Sequence, residues 1–213
     1  MQIQEVFDRR RFVFLDGGMG TQLQQRGLQP GQKPELAALE MPDVLTAIHR
    51  DYTAAGADIL LANTFGANAK KLAGCGRSVE EVVSASIACA RRAGQETSAL
   101  VALDIGPLGE LLAPAGTLAF EDAYEEFAQV IRAGAAAGAD LVFLETMTDL
   151  YELKAAILAA KENCNLPVFT SMSFESRGRT FTGCTVESYA VTAAGLGADA
   201  IGINCSLGPA EIL

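Results

Sequence analysis

Three polar residues follow a repeated triplet at the same distance along the chain. The triplet Gly-Ala-Asp occurs at 56–58, 138–140 and 197–199. The fifth residues after its aspartates are Asn63, Glu145 and Asn204. Side chains alternate along a strand, so equal offsets from equivalent starting points predict equivalent faces at equivalent heights. The spacing therefore predicts that two amides and a carboxylate converge on one site.

A glycine-rich segment carries a second group of candidate residues. The segment LDGGMGTQLQQRGL spans 15–28, and Asp16 directly precedes Gly17 and Gly18. Glycines let the backbone approach a ligand closely, and backbone N–H groups there can bind a carboxylate or phosphate. A tight turn that needs positive φ would also explain the glycines. A carboxylate beside an anion-binding loop suits a zwitterion, and Glu145 offers a second carboxylate for the ammonium of an amino acid.

Cys205 follows Asn204 in the segment GINCSLGP and is the cysteine whose context indicates chemistry. It is a candidate nucleophile, a candidate metal thiolate or a bystander. A nucleophilic cysteine would require a histidine base, but the single histidine, His49, lies in a helix-like stretch before a strand, and we expect it far from the strand ends. Metal binding is the better reading of Cys205, although the sequence has no Cys-x-x-Cys or His-x-x-x-His to complete a ligand set.

The elements that position these residues alternate along the chain. Short apolar runs predict strands at 12–16, 58–63, 100–104, 140–145, 167–174 and 199–205. Longer amphipathic stretches predict helices at 42–55, 78–97, 120–137, 149–163 and 186–196. Asp16 and Asp104 end two of the strands. Five strands thus finish in a polar or charged group, which indicates an active site at the carboxyl ends of a parallel sheet.

The repeated units favour a (β/α)₈ TIM barrel over a doubly wound sheet. The units resemble one another, and the chain contains neither a phosphate-binding P-loop nor a dinucleotide fingerprint. An aldolase-type barrel would normally place a Lys at a strand end, and none of the six ends has one. Six strands can be counted where a barrel needs eight, so we expect one domain over 1–213, truncated after its sixth strand.

Composition excludes some classes of partner. The chain carries 16 Lys and Arg against 26 Asp and Glu, a net charge of −10, which argues against nucleic acid or an anionic membrane as partner. The N-terminus lacks the apolar core of a signal peptide, and no apolar run is long enough to span a bilayer. We therefore expect a cytoplasmic protein. Five irregularly spaced cysteines predict free thiols.

Several segments together resemble a known family. They are DGGMGTQL near the N-terminus, HRDYTAAGADILLANTFGAN (49–68), DIGPLGELLAPAGTLAFEDAYEEF (104–127), LETMTDLYELKAAILA (144–159) and GINCSLGP (202–209). They resemble the homocysteine-binding domain of zinc-dependent homocysteine S-methyltransferases, most of all that of the cobalamin-dependent enzymes. The resemblance covers nearly the whole chain, and it implies a (β/α)₈ barrel.

The resemblance also implies a ligand set. In this family three cysteines hold Zn²⁺, one from the GINC motif and two from a later Gly-Gly-Cys-Cys-Gly, which this sequence does not contain. Cys205 would be the first zinc thiolate and the catalytic centre. The residues that would bind substrate are Asp16, Gly17, Gly18, Thr21, Asn63, Glu145 and Asn204.

The expected reaction is methyl transfer to homocysteine to give methionine. Zinc would activate the thiol, and methylcobalamin, recharged by methyltetrahydrofolate, would supply the methyl group from separate cobalamin- and folate-binding domains. One alternative is a donor such as S-methylmethionine, S-adenosylmethionine or betaine. Another is a homocysteine-binding fragment without turnover, because a site with a single thiolate should hold zinc poorly.

Overall fold

The computed structural model describes residues 3–9, 12–95 and 97–212. Its five strands are β1 (Ile59–Leu61), β2 (Leu100–Ile105), β3 (Leu141–Met147), β4 (Val168–Met172) and β5 (Ala200–Ile203). All pair in parallel, and their order in the sheet is their order in the chain. Sequential parallel strands joined by helices are the winding of a (β/α)₈ barrel, so the predicted fold class is confirmed.

Helices fill the connections between the strands. The larger ones are α4 (Pro42–Ala54), α6 (Val79–Gly94), α7 (Phe120–Ala136), α8 (Leu150–Asn163) and α9 (Val186–Gly195). The shorter ones are α1 (Ile3–Arg9), α2 (Met19–Gln25), α3 (Ala37–Glu40), α5 (Ala69–Leu72), α10 (Pro209–Ile212) and a 3-10 helix (Pro34–Leu36). Each of the five predicted helices is present. Within the described residues no helix is long and apolar enough to cross a membrane.

The helix starts follow the signals in the sequence. Ser78 and Glu81 form a reciprocal capping box at the start of α6, and Pro42 occupies the first turn of α4. Asp149 caps α8 by accepting a hydrogen bond from the Tyr151 N–H at 2.9 Å. Each cap satisfies donors that the first helical turn leaves unpaired, which is why these boundaries were readable from the sequence.

The Gly-Ala-Asp triplets tie each strand to the one before it. The three glycines have φ of 105°, 87° and 83°, a region that favours glycine. Oδ2 of each aspartate accepts a backbone N–H from the preceding strand or segment: Asp58 from Phe14, Asp140 from Val101 and Asp199 from Val168. These distances are 3.0, 2.7 and 2.8 Å. The triplet therefore ends a helix, turns the chain and anchors the next strand.

The predicted strand at 12–16 was wrong as a regular strand. Leu15 makes a single parallel bridge to Ile59, and the segment forms no longer ladder. It lies at an edge of the sheet, and the Phe14 N–H bonds to the Asp58 carboxylate instead of a neighbouring strand. The sheet of the described residues therefore has five strands and one bridged segment, in place of the six predicted strands.

The two faces of the sheet are both apolar, and they pack against different partners. Alternate residues such as Val101 and Leu103 face the helices in the largest core cluster. The intervening residues, including Leu100, Ala102 and Leu141, form a second cluster with Val6 of α1 on the concave side. Among the described residues the segment 12–16 and β5 are the two edges of the sheet, and an apolar cavity of about 400 Å³ lies along the concave face between them.

Candidate active site

The alternation of side chains along each strand places the polar residues at the strand ends on the concave side of the sheet. Ile59 and Leu61 face that side, as do Leu141 and Phe143, and Asn63 and Glu145 continue the same alternation one step further. Ala200 places Asn204 by the same rule, and Ala102 places Asp104. The equal offsets from the triplets therefore correspond to equal positions around one end of the sheet.

A cavity of about 510 Å³ lies at this end of the strands. Four carboxyl groups line it: those of Asp16, Asp104 and Glu145 at the strand ends, beside Asn63 and Cys205, and that of Glu35 on the neighbouring 3-10 helix. Its remaining lining comes from Gly17, Gly18, Met19, Gly20, Pro34, Leu61, Ala62, Phe65 and Thr146. The structure thus brings together most of the residues singled out in the sequence, and it adds Asp104 to them.

Asp104 and Glu145 form a buried acid pair. Burial raises the pKa of Asp104 well above its ordinary value, and the charges of Glu145 and Asp16 add to the rise. Burial also raises the pKa of Glu145, while hydrogen bonds with Asp104 and from Asn204 lower it. Each of the two acids affects the pKa of the other, so Asp104 and Glu145 titrate as a pair in which burial favours the protonated form of both carboxyl groups.

Asn204 connects Glu145 to the cysteine. Its Nδ2 donates to Glu145 Oε1 at 3.0 Å and to Thr146 Oγ1 at 2.9 Å. Thr146 Oγ1 lies 3.6 Å from the Sγ of Cys205, which is exposed at the end of β5. Thr146 and Cys205 have φ of 56° and 59°, an uncommon conformation for residues other than glycine. Such strain is typical of functional sites.

Three buried oxygens in this region lack partners within the described residues. They are Oδ1 of Asp16, Oδ1 of Asp104 and Oδ1 of Asn204. A buried polar atom without a hydrogen bond costs free energy, and native proteins rarely leave one unpaired. All three oxygens can accept hydrogen bonds, so a bound group that donates hydrogen bonds, such as an ammonium, would satisfy them.

The glycine segment adopts an ordinary backbone. Gly17, Gly18 and Gly20 all lack positive φ, so a turn conformation is not the reason for these glycines. A Cβ on Gly17 would lie 3.0 Å from the ring of Tyr52, and Tyr52 Oη donates to the Gly18 carbonyl at 3.1 Å. Close packing against Tyr52 therefore explains Gly17.

Of two other predicted site residues, Asn63 and Thr21, one lines the cavity and the other does not. Asn63 is buried, lines the cavity and donates from Nδ2 to the Pro34 carbonyl at 2.6 Å, so its amide holds the neighbouring loop. Thr21 is exposed on α2 and lies outside the residues that line the cavity. The structure thus brings Asn63 into the site and leaves Thr21 at its margin.

The expectation that His49 lies far from the strand ends was wrong. Its side chain is fully buried, and Nδ1 lies 3.6 Å from Oδ2 of Asp16. Helix α4 packs alongside β1. A residue in the middle of α4 therefore reaches the segment that lies beside β1 in the sheet and contains Asp16. The i, i+3 spacing of His49 and Tyr52 places both on one face of α4, a signal that was present in the sequence.

The described residues do not fit a complete zinc site. No group of three or more His, Cys, Asp or Glu side chains in 3–9, 12–95 and 97–212 is arranged to hold a metal ion. Cys205 is one thiolate, and structural or catalytic zinc takes at least three protein ligands. Cys184, in the loop before α9, donates to the Thr185 carbonyl and lines a different groove. Within the described residues, Cys205 is therefore a single ligand of an incomplete site.

The fold and the cavity define a class of protein: a barrel-type α/β domain with an acid-lined site at the carboxyl ends of its strands. The family model for homocysteine S-methyltransferase matches residues 13–213. The chain belongs to the homocysteine S-methyltransferase family, as the sequence motifs predicted.

Two curated relatives are the methionine synthases of Mycobacterium tuberculosis and Mycobacterium leprae. Each is 34% identical to this chain over 226 residues, which cover 95% of the chain. The chain spans about 18% of the length of these relatives. The similarity therefore concerns one part of a much longer protein.

A solved structure shows the same fold. The apo form of the homocysteine methyltransferase MmuM from Escherichia coli matches with a TM-score of 0.78 at 24% identity, covering 97% of this chain and 76% of that one. Its metallated form matches with a TM-score of 0.71 at 19% identity, covering 99% and 97%. These likenesses confirm the barrel-type architecture.

Proposed function

We propose that residues 1–213 form one homocysteine-binding domain, which presents the homocysteine thiol as the methyl acceptor in the synthesis of methionine. The observation that carries this proposal is the cavity in which Asp16, Asp104 and Glu145 converge below the exposed thiol of Cys205. Family membership supports the choice of homocysteine, and the acidic lining supports an amino acid held by its ammonium group.

The charges of the cavity suit the amino-acid end of the substrate. Burial raises the pKa of both Glu145 and Asp16, and an ammonium between their carboxyl groups would favour the ionised form of both, in a site where burial weakens screening. The backbone N–H groups of 17–21 would receive the α-carboxylate. Asn63 and Asn204 would fix the orientation of the substrate, because hydrogen bonds already hold both amides in place.

The reaction forms one bond and breaks one. The sulfur of homocysteine, after loss of its thiol proton, forms a bond to the methyl carbon, and the electrons of the bond between methyl and donor leave with the donor. Zinc, when bound, would favour loss of that proton by stabilising the thiolate. We propose Cys205 as one zinc thiolate. A complete zinc site then requires ligands beyond those that residues 3–9, 12–95 and 97–212 bring together.

Methylcobalamin is the methyl donor we propose, recharged by methyltetrahydrofolate on separate cobalamin- and folate-binding domains. The segment SLGP after GINC resembles the cobalamin-dependent enzymes, and the curated relatives are methionine synthases several times longer than this chain. S-methylmethionine, S-adenosylmethionine or betaine are the alternative donors. Assaying the full-length protein with methylcobalamin and with S-methylmethionine separates them, because only the true donor gives methionine.

Calorimetric titration of the chain with L-homocysteine tests the proposed substrate. We expect saturable binding, and no measurable binding of 4-mercaptobutanoate, which keeps the thiol and carboxylate but lacks the ammonium. Glu145→Gln removes the charge and keeps an acceptor for Asn204, so it should weaken binding about 10- to 100-fold. Glu110→Gln, at an exposed ion pair, is the matched control and should bind as the wild type does. Equal binding of both ligands would refute the proposal.

A second candidate function is a homocysteine-binding module without turnover. It is favoured by the absence, among the described residues, of a metal-binding group of three side chains. Metal analysis of the purified chain tests the module. A single thiolate predicts substoichiometric zinc and no methyl transfer by the chain alone. Stoichiometric zinc that a chelator removes, and that Cys205→Ser abolishes, would refute the module.

A further inference from the structure

His49 is the only histidine of the chain, and none of the functions above uses it. It lies in the middle of α4 with no exposed surface, and its Nδ1 is 3.6 Å from Oδ2 of Asp16. Neither ring nitrogen has a hydrogen-bond partner within the described residues. A histidine buried in this way, facing a carboxylate that lines the cavity, requires an explanation.

The surroundings of Asp16 favour the protonated form of its carboxyl group. Burial raises its pKa, and the acidic side chains of Asp104 and Glu145 share the cavity with it. Tyr52 is the remaining titratable side chain whose ionisation responds to Asp16. Two contacts favour the ionised form of Asp16: the adjacent imidazole of His49 lowers its pKa, and the Leu61 N–H donates to its Oδ2 at 3.1 Å.

The short gap between Nδ1 and Oδ2 restricts the proton on the imidazole. A bare Nδ1 would direct its lone pair at a carboxylate oxygen, and the two negative ends would repel each other, because both side chains are buried and solvent screens them little. A proton on Nδ1 turns the same contact into an attraction. We propose that His49 is a positioning residue of the site, whose Nδ1–H faces Asp16 and holds that carboxylate ionised and directed at the ammonium of the substrate.

The rest of α4 supports this role. Tyr52 lies one turn after His49, donates to the Gly18 carbonyl and packs on Gly17. His49 and Tyr52 therefore contact three successive residues, Asp16 to Gly18, from behind the cavity. Side chains on a packed helix hold such contacts more tightly than side chains on a loop, so α4 fixes both the carboxylate and the backbone that follows it.

The single histidine makes the proposal directly measurable. In the ¹⁵N-labelled chain, long-range ¹H–¹⁵N correlation spectra show one imidazole, and the ¹⁵N shifts report which nitrogen carries a proton. We expect a protonated Nδ1 at neutral pH, in either the neutral or the cationic ring. Asp16→Ala should move the Nδ1 resonance, while Asp51→Asn, on the exposed face of the same helix, should not. A bare Nδ1 in the wild type, or a spectrum unchanged by Asp16→Ala, would overturn the proposal.

Substitution of His49 tests its contribution to binding, a part of the inference that rests on the proposed function. The amide of His49→Asn can place an N–H near the position of Nδ1, whereas His49→Leu cannot. We expect His49→Asn to bind L-homocysteine within about 3-fold of the wild type and His49→Leu to bind at least about 10-fold more weakly. Equal loss in both variants, or loss in neither, would overturn the positioning role.

The two experiments fail separately. If the wild-type chain does not bind homocysteine, the proposed function fails, and the imidazole spectrum still reports the contact between His49 and Asp16. Urea denaturation of both His49 variants provides the control for folding. A variant that is unfolded under the binding conditions is replaced by His49→Gln, which has a longer side chain than Asn and retains its amide. The spectrum of the wild type requires no variant at all.

Discussion

At the scale of single residues, the site is a cluster of like charges held close together by the strand ends. Three buried carboxyl groups cannot all ionise at moderate cost: burial raises the pKa of Asp104 and Glu145, which titrate as a pair, and His49 lies behind Asp16. The remaining negative charge is what an ammonium would neutralise. Binding and ionisation are therefore coupled in this cavity.

Gly17 is the position at which adding one methyl group should lower the stability of the fold most clearly. In Gly17→Ala the new Cβ would lie 3.0 Å from the Tyr52 ring, whose hydroxyl is already held by Gly18. We expect a loss of about 1–3 kcal/mol in the free energy of unfolding, measured by urea denaturation. Gly20→Ala is the control, because nothing lies within 4 Å of its Cβ and alanine favours a helix. Equal destabilisation by both substitutions would contradict this account.

Sequence reasoning found part of the cavity and missed part of it for identifiable reasons. Asn63 and Glu145 were predictable because equal spacing along alternating strands gives equivalent positions, and Cys205 was predictable from its place after Asn204 in GINCSLGP. Asp104 was recognised as a strand end but was not included in the site. His49 and Tyr52 were missed because their positions depend on how α4 packs against the sheet, which strand periodicity does not report.

At the scale of elements, short side-chain contacts hold the loops that surround the site. The Gly-Ala-Asp triplets fix the starts of three strands, while Glu152 of α8 fixes the loop after β2. Oε1 of Glu152 accepts the Leu108 N–H at 2.7 Å, in a buried position. The triplets were visible as a repeat, but their hydrogen bonds to the preceding strand depend on tertiary pairing.

Glu152 predicts a pH-dependent stability. Burial raises its pKa to about 7. At pH values between its ordinary pKa and 7, the folded chain therefore holds a proton that the unfolded chain has lost. Its contribution to stability is therefore complete at low pH and is lost as the pH rises through 7. Glu152→Gln keeps the acceptor for Leu108 and does not titrate.

Urea denaturation at two pH values checks this prediction. Relative to the wild type, Glu152→Gln should gain about 2 kcal/mol between roughly pH 5.5 and pH 8. Glu110→Gln, which removes an exposed carboxylate, should show no such gain. A difference between Glu152→Gln and the wild type that does not change with pH would show that Glu152 is ionised throughout.

At the scale of the whole molecule, the order of the sheet follows from the alternation of strands and helices. Parallel strands need crossover helices, and right-handed crossovers add each new strand beside the last. The barrel-type fold was therefore predictable from the repeated units. The extent of pairing at 12–16 was not, because an edge segment forms hydrogen bonds on one side and can exchange them with side chains such as Asp58.

The same arrangement explains why the site lies where it does. The concave face is apolar along its length, with Ile59, Leu100 and Leu141, and becomes polar at the carboxyl ends of the strands. An amino acid bound there has its charged groups near the strand ends and can direct its side chain toward Cys205. The account thus predicts an orientation for the substrate as well as its identity.

A crystal structure of the chain with L-homocysteine tests this central claim most directly. We predict the ammonium within hydrogen-bond distance of Asp16 and Glu145, the carboxylate against the backbone of 17–21, and the sulfur on the side of Cys205. Homocysteine bound outside this cavity, or bound with its sulfur at Asp16 and its ammonium at Cys205, would contradict the account.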